Sequence, residues 1–105
     1  MDEEMDDEIL ALLEDNYARD ILATSTTGSM SVSELCAACD IPKPTAYSRL
    51  DRLQPVDLQK ERCELDTDGH HYKSYVSTVG EVAVTFDDGT YDVAVAGSND
   101  PSCTS

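Results

Sequence analysis

The feature that most restricts this chain is a pair of helix starts separated by a hard break, all within residues 31–54. Ser31-Val32-Ser33-Glu34 has the form of a capping box. The serine hydroxyl accepts from the backbone N–H three residues on, and the glutamate reaches back to the serine N–H. Val32, Leu35, Cys36 and Cys39 follow at i, i+3, i+4 and i+7, one inward stripe of a short helix. Asp40-Ile41-Pro42 ends it. Pro44 suits the first turn of the next helix, where its missing N–H has no partner to lose. Ala46, Leu50 and Leu53 then mark a buried face. Lys43, Thr45, Ser48, Arg49 and Arg52 fall mostly on the other sides, with Tyr47 at the boundary. Pro55 stops this helix, which is expected over Lys43 to Gln54.

Upstream, residues 1–8 are mostly acidic and read as a solvated lead-in. Helical spacing begins near Glu8 with Ile9, Leu10, Leu12 and Leu13. Asp15 or Asn16 restarts the helix as a cap. Tyr17, Ala18, Ile21 and Leu22 continue the apolar face up to a loop-like cluster at 24–28. Downstream the period changes from helix to strand. Leu58–Leu65 and His71–Ser77 flank a turn at 66–70, where Gly69 accepts positive φ. A second hairpin places Val82, Val84 and Phe86 opposite Tyr91, Val93 and Val95, joined by Asp87-Asp88-Gly89. Positions 97–105 have turn-forming composition and read as a flexible tail. One domain is therefore expected over residues 9–96, with fold class α+β: N-terminal helices, a hairpin, and a second C-terminal hairpin.

Charge narrows the function. The chain of 105 residues has 22 acidic and 7 basic side chains, a net −15. Such a field repels nucleic acid and acidic membranes at long range. Yet all the basic residues except Arg19 lie between positions 43 and 73, where they equal the acidic ones in number. The centre is neutral and the flanks carry the whole deficit. No apolar run is long enough to span a bilayer. The acidic N-terminus is unlike a secretory signal, so a cytoplasmic location is expected. No nucleophile–base pair, glycine-rich phosphate loop or paired carboxylates stand at a recognisable spacing, which argues against an enzyme.

Two short helices joined by a tight break, the second with cations outward, followed by a hairpin, form the pattern of a winged helix-turn-helix. The second helix of such a unit enters the major groove, and the hairpin needs only to reach phosphates. The chain resembles small haloarchaeal regulators of this type, loosely within the ArsR and MarR superfamily. The resemblance is carried by residues 12–22 (LLEDNYARDIL), 30–40 (MSVSELCAACD) and 44–53 (PTAYSRLDRL), and by Asp68-Gly69-His70-His71-Tyr72 as the wing turn. It covers roughly residues 9–95. It implies a DNA-binding transcriptional regulator with double-stranded DNA as partner, no cofactor, and a homodimeric state. It also implies a cell of molar internal salt, which accounts for the acidity. Where these proteins carry a glycine before the first wing strand, this chain has Pro55-Val56-Asp57-Leu58.

The expected DNA contacts are Lys43, Thr45, Tyr47, Ser48, Arg49 and Arg52 on the helix, with Lys60, Arg62 and Lys73 on the wing. The competing readings are a solvated helix face and cross-strand pairing of the wing cations with Glu61, Glu64 or Asp66. Tyr72 or Tyr75 packs the wing onto the body. Cys36 and Cys39 admit a metal or thiol switch, with Cys63 or the His70-His71 pair completing it. Their place on the apolar stripe favours core packing, so no metal is expected. Dimerisation through the second hairpin or the N-terminal helix, and a protein-interaction module that has lost DNA binding, both remain open.

Overall fold

The computed structural model describes residues 3–97. It is α+β: four helices followed by two antiparallel hairpins. The helices are α1 (Glu3–Glu14), α2 (Asn16–Thr24), α3 (Val32–Cys39) and α4 (Lys43–Leu53). The strands are β1 (Gln59–Leu65), β2 (His71–Ser77), β3 (Val79–Asp87) and β4 (Thr90–Gly97).

Local chemistry sets each helix start. Asp15 caps α2, its carboxylate accepting from the Ala18 N–H at 2.9 Å. Ser31 and Glu34 complete the capping box of α3: the serine hydroxyl accepts from Glu34 N–H at 3.2 Å, and the glutamate from Ser31 N–H at 2.8 Å. Asp40 ends α3 in the left-handed region, at φ 57°. That conformation tightens the break, because Asp tolerates it better than most residues.

The first helix departs from expectation. It starts at Glu3, so no separate lead-in reaches to residue 8. Glu4 and Asp6 sit in its first turn, where the positive end of the helix dipole favours carboxylates. Met5 and Ile9, four apart, give that turn an apolar side. Gly97, expected in the tail, is the last residue of β4. The rest of the expected tail, with Cys103, lies outside the described residues.

The core is helical. Leu12, Ile21, Leu35, Leu50, Leu53 and Leu58 are wholly buried, one or two from each helix and one from the approach to β1. Burying a leucine of this kind contributes roughly 1.5–3 kcal/mol before entropy. Tyr75, the tyrosine of the first hairpin that packs inward, joins them, whereas Tyr72 stays half exposed.

The first hairpin is sewn to the helices by its backbone. Met30 and Tyr75 exchange two hydrogen bonds of 2.8 and 2.9 Å, an isolated bridge ahead of α3. Ser77 N–H donates to Ser25 O and Thr78 N–H to Leu58 O, each at 3.1 Å. The second hairpin is a separate two-stranded sheet in register Val82↔Val95, Val84↔Val93 and Phe86↔Tyr91, with an irregularity between Val79 and Glu81. Its close contacts are mostly internal. The radius of gyration, 14.9 Å, exceeds the roughly 13 Å of a compact chain this long.

The missing glycine before β1 has a substitute. Asp57 adopts φ 61° and closes the turn between α4 and β1. Its own N–H donates to Gln54 O at 3.0 Å, and its carbonyl accepts from the Thr78 hydroxyl at 2.7 Å.

Candidate nucleic-acid interface

The α3–break–α4 unit determines what α4 exposes. Ile41 is buried in the break, and its N–H donates to Cys36 O at 3.2 Å. Ala46, Leu50 and Leu53 then fasten α4 to the core. Lys43, Pro44, Tyr47, Ser48, Asp51 and Arg52 are left exposed, and Thr45 half-buried. Tyr47 is 50% exposed, unusually open for a tyrosine on a packed helix. All but Asp51 and Arg52 lie in the first half of α4.

The two arginines of α4 go elsewhere. Arg49 Nε donates to Asp15 Oδ2 at 2.7 Å and Nη2 to Asp15 Oδ1 at 3.3 Å, a two-pronged pair. Its guanidinium lies 5.7 Å from the Tyr17 ring centroid. Both side chains of the pair are about a quarter exposed, at 23% and 24%. The Arg49 hydrogen bonds hold the Asp15 carboxyl below its usual range, against a smaller opposing effect of burial. Arg49 is in turn pushed up by the same hydrogen bonds. Arg52 Nε donates to Glu8 Oε2 at 3.0 Å across a more exposed gap. Of the six residues expected as DNA contacts on α4, the structure leaves Lys43, Tyr47 and Ser48 exposed and Thr45 half-buried, engages Arg49 with Asp15, and pairs the exposed Arg52 with Glu8.

The first hairpin divides its cations as well. Residues opposite one another in an antiparallel ladder share a face. Lys60 stands opposite Val76 and Arg62 opposite Ser74, whereas Lys73 stands opposite Cys63. Lys60 and Arg62 therefore project from one face and Lys73 from the other. Lys73 Nζ lies 3.4 Å from Glu61 Oε2, an exposed pair that contributes little to stability. Lys60 and Arg62 make no ion pair with a described residue.

Between α4, the start of α3 and the Lys73 face runs a groove of about 430 Å³, bordered by Ser31, Ser33, Tyr47, Asp51, Glu61 and Lys73. Tyr75 closes its floor. Burial raises the Tyr75 phenol above its ordinary range, and Glu61 adds to the effect. The groove thus offers hydroxyls, one ammonium and two carboxylates.

Cys36 and Cys39 are half-buried against the core. The Cys39 thiol lies 3.3 Å from the Thr24 hydroxyl and donates to Asp20 O at 3.6 Å. Cys63 is exposed, its sulfur 4.0 Å from His71 Nδ1. Among the described residues the only trio of ligating side chains is Asp66, Asp68 and His70, with donor atoms within 4.8 Å of one another and all exposed. Asp66 Oδ1 already accepts from the N–H groups of Asp68 and His70 at 2.9 and 2.8 Å, which shapes the turn. No described helix is long and apolar enough to cross a membrane.

Sequence reasoning missed Asp15 and Glu8 as partners of the α4 arginines. Asp15 carried a local signal as a cap, but nothing local marks a partner 34 positions away. No protein-family model matches the chain and no curated protein is similar to it, so its chemistry is read from these residues.

Proposed function

We propose that the protein is a DNA-binding transcriptional regulator of the winged helix-turn-helix kind, acting by occupancy of a promoter site and not by catalysis. The first half of α4 enters the major groove, and the β1–β2 hairpin lies along the phosphates. One observation carries this reading: Arg49 and Arg52 tie α4 to Asp15 and Glu8 of the N-terminal helices, while Lys43, Tyr47 and Ser48 stand exposed in its first half, the Ser48 hydroxyl accepting from Arg49 Nη1 at 3.4 Å. In helix-turn-helix units the N-terminal residues of the second helix contact base edges. Hydroxyls and an ammonium there supply hydrogen bonds and a phosphate or guanine contact. Lys73, on the hairpin face beside α4, is the hairpin's phosphate contact, and Lys60 and Arg62 project from the opposite face.

The acidity fits a cell rich in salt. At about 1 M ionic strength the Debye length is roughly 3 Å, so distant carboxylates no longer oppose a duplex. Counterion release also contributes less there, and binding rests on hydrogen bonds and shape.

Asp51 and Glu61 in the groove favour a second reading, a module that docks a protein segment and has lost DNA. Fluorescence anisotropy with duplex DNA from upstream of its own gene, in about 2 M KCl, separates the two. Saturable binding that survives excess unrelated duplex supports the regulator. A folded protein that binds no duplex in that buffer overturns it and leaves the second reading.

A further inference from the structure

Tyr75 is only 4% exposed, yet its hydroxyl makes no hydrogen bond with a described residue and is not sealed from solvent. A buried tyrosine hydroxyl ordinarily finds a partner. This one opens at the floor of the groove between α4 and the first hairpin. Beyond burial, the groups that act on the phenol are Glu61, Lys73, Tyr47 and Asp51, and all four border that groove. Its volume, about 430 Å³, falls in the roughly 300–1,000 Å³ range of small-molecule sites.

The charge around that hydroxyl is uneven. Glu61 already holds an ammonium, with Lys73 Nζ 3.4 Å from Oε2. Asp51 makes no ion pair or hydrogen bond with a described residue. One uncompensated carboxylate therefore shares the groove with one unpartnered phenol. Val32 and the rings of Tyr47 and Tyr72, 50% and 44% exposed, complete the apolar part of the walls.

We infer that this groove binds a primary alkylammonium, its N–H groups donating to the Asp51 carboxylate and the Tyr75 oxygen, its alkyl chain laid against the tyrosine rings. The other small-ligand classes each leave part of the groove unanswered. An anion meets Asp51 and finds the one ammonium already paired. A potassium ion answers Asp51 but gains nothing from the valine and ring surfaces. A neutral alcohol uses those walls and leaves the carboxylate without a counter-charge. A quaternary ammonium suits aromatic rings but has no N–H for the phenol oxygen.

Binding here needs no duplex, so it is measured on the protein alone, and its failure leaves the DNA reading where it stands. The probe is n-butylammonium chloride, titrated into the labelled full chain in about 1 M KCl and followed by NMR. Ring signals of Tyr47, Tyr72 and Tyr75 should shift saturably, half-saturating at about 10 mM or below, with NOEs from butyl protons to those rings. Asp51→Asn, at an exposed position, and Tyr75→Phe, which keeps the ring, should each weaken binding at least about threefold with an unchanged circular dichroism spectrum. Asp88→Asn, in the β3–β4 turn, should leave it within about twofold, which separates the groove from the general pull of a chain of net charge −15 on cations. On the wild type, n-butanol and tetramethylammonium should bind at least about threefold more weakly than n-butylammonium. Shifts that rise without saturating up to about 100 mM, equal binding of either analogue, or binding indifferent to Asp51→Asn or to Tyr75→Phe overturns the inference.

Discussion

Arg49 on α4 and Asp15 at the cap of α2 form a two-pronged ion pair, with Nε 2.7 Å from Oδ2 and Nη2 3.3 Å from Oδ1. One carboxylate thereby does two jobs. It caps α2 through the Ala18 N–H, and it ties α4 to the start of α2, while the burial of Ala46, Leu50 and Leu53 sets which α4 side chains remain outside.

The pair makes stability depend on acid. The Asp15 carboxyl is held below its ordinary value, chiefly by the Arg49 hydrogen bonds, so its contribution is fully present above the unfolded-state value near pH 4. It is lost as pH falls through the lower folded value. Asp15→Asn keeps a capping oxygen and removes the charge. It should lower unfolding free energy at pH 7 by about 1 kcal/mol, since the pair is a quarter exposed and partly screened. As pH falls through the lowered folded value the variant and the wild type should converge. Urea unfolding at constant high salt, from neutral pH down through the acid limb, measures both; parallel curves at all pH values would contradict the assignment.

Asp57 holds a left-handed conformation that glycine adopts without strain. Asp57→Gly should therefore raise stability, by about 0.5–1 kcal/mol. The β-branched Asp57→Val should lower it by more than that, because branching at Cβ clashes in this region. Thermal melts of the two variants, read against the wild type, settle the sign.

The chain's net charge of −15 should make dilute buffer a destabilising condition. Self-repulsion destabilises a compact state, and its range grows to about 10 Å at 0.1 M salt. The melting temperature should climb steadily with KCl and the fold should loosen below a few tenths molar. A melting temperature independent of salt would show that the acidity is spread too thinly to matter.

What was legible in the sequence is what is local. The Ser31–Glu34 box closes over three residues, so its hydrogen bonds are written in the spacing. The Asp-Gly turns set both hairpins, with Gly69 and Gly89 at positive φ. Ala46, Leu50 and Leu53 betrayed the buried side of α4 by period alone. The start of α1 was less visible, because acidic residues in a first turn look like a solvated lead-in until Met5 and Ile9 are seen to share a side. The destinations of Arg49 and Arg52 were not legible at all. Their partners are 34 and 44 positions away, and outward cations on a helical wheel look alike whether they meet phosphate or carboxylate. Asp57 shows the same limit: the absent glycine was plain, its replacement by a left-handed aspartate was not.

The central claim is that the uncovered first half of α4 meets DNA while its arginines hold α4 in place. A titration of labelled protein with operator duplex in about 2 M KCl, comparing Lys43→Ala/Ser48→Ala with Arg49→Met, tests it most directly. The account predicts that the Lys43 and Ser48 changes weaken binding at least about tenfold at unchanged stability, each lost contact being worth about 1–3 kcal/mol. It predicts that Arg49→Met lowers stability yet leaves the affinity of the folded protein within about threefold. Undiminished binding without Lys43 and Ser48, or binding abolished by Arg49→Met in a fully folded protein, would contradict it.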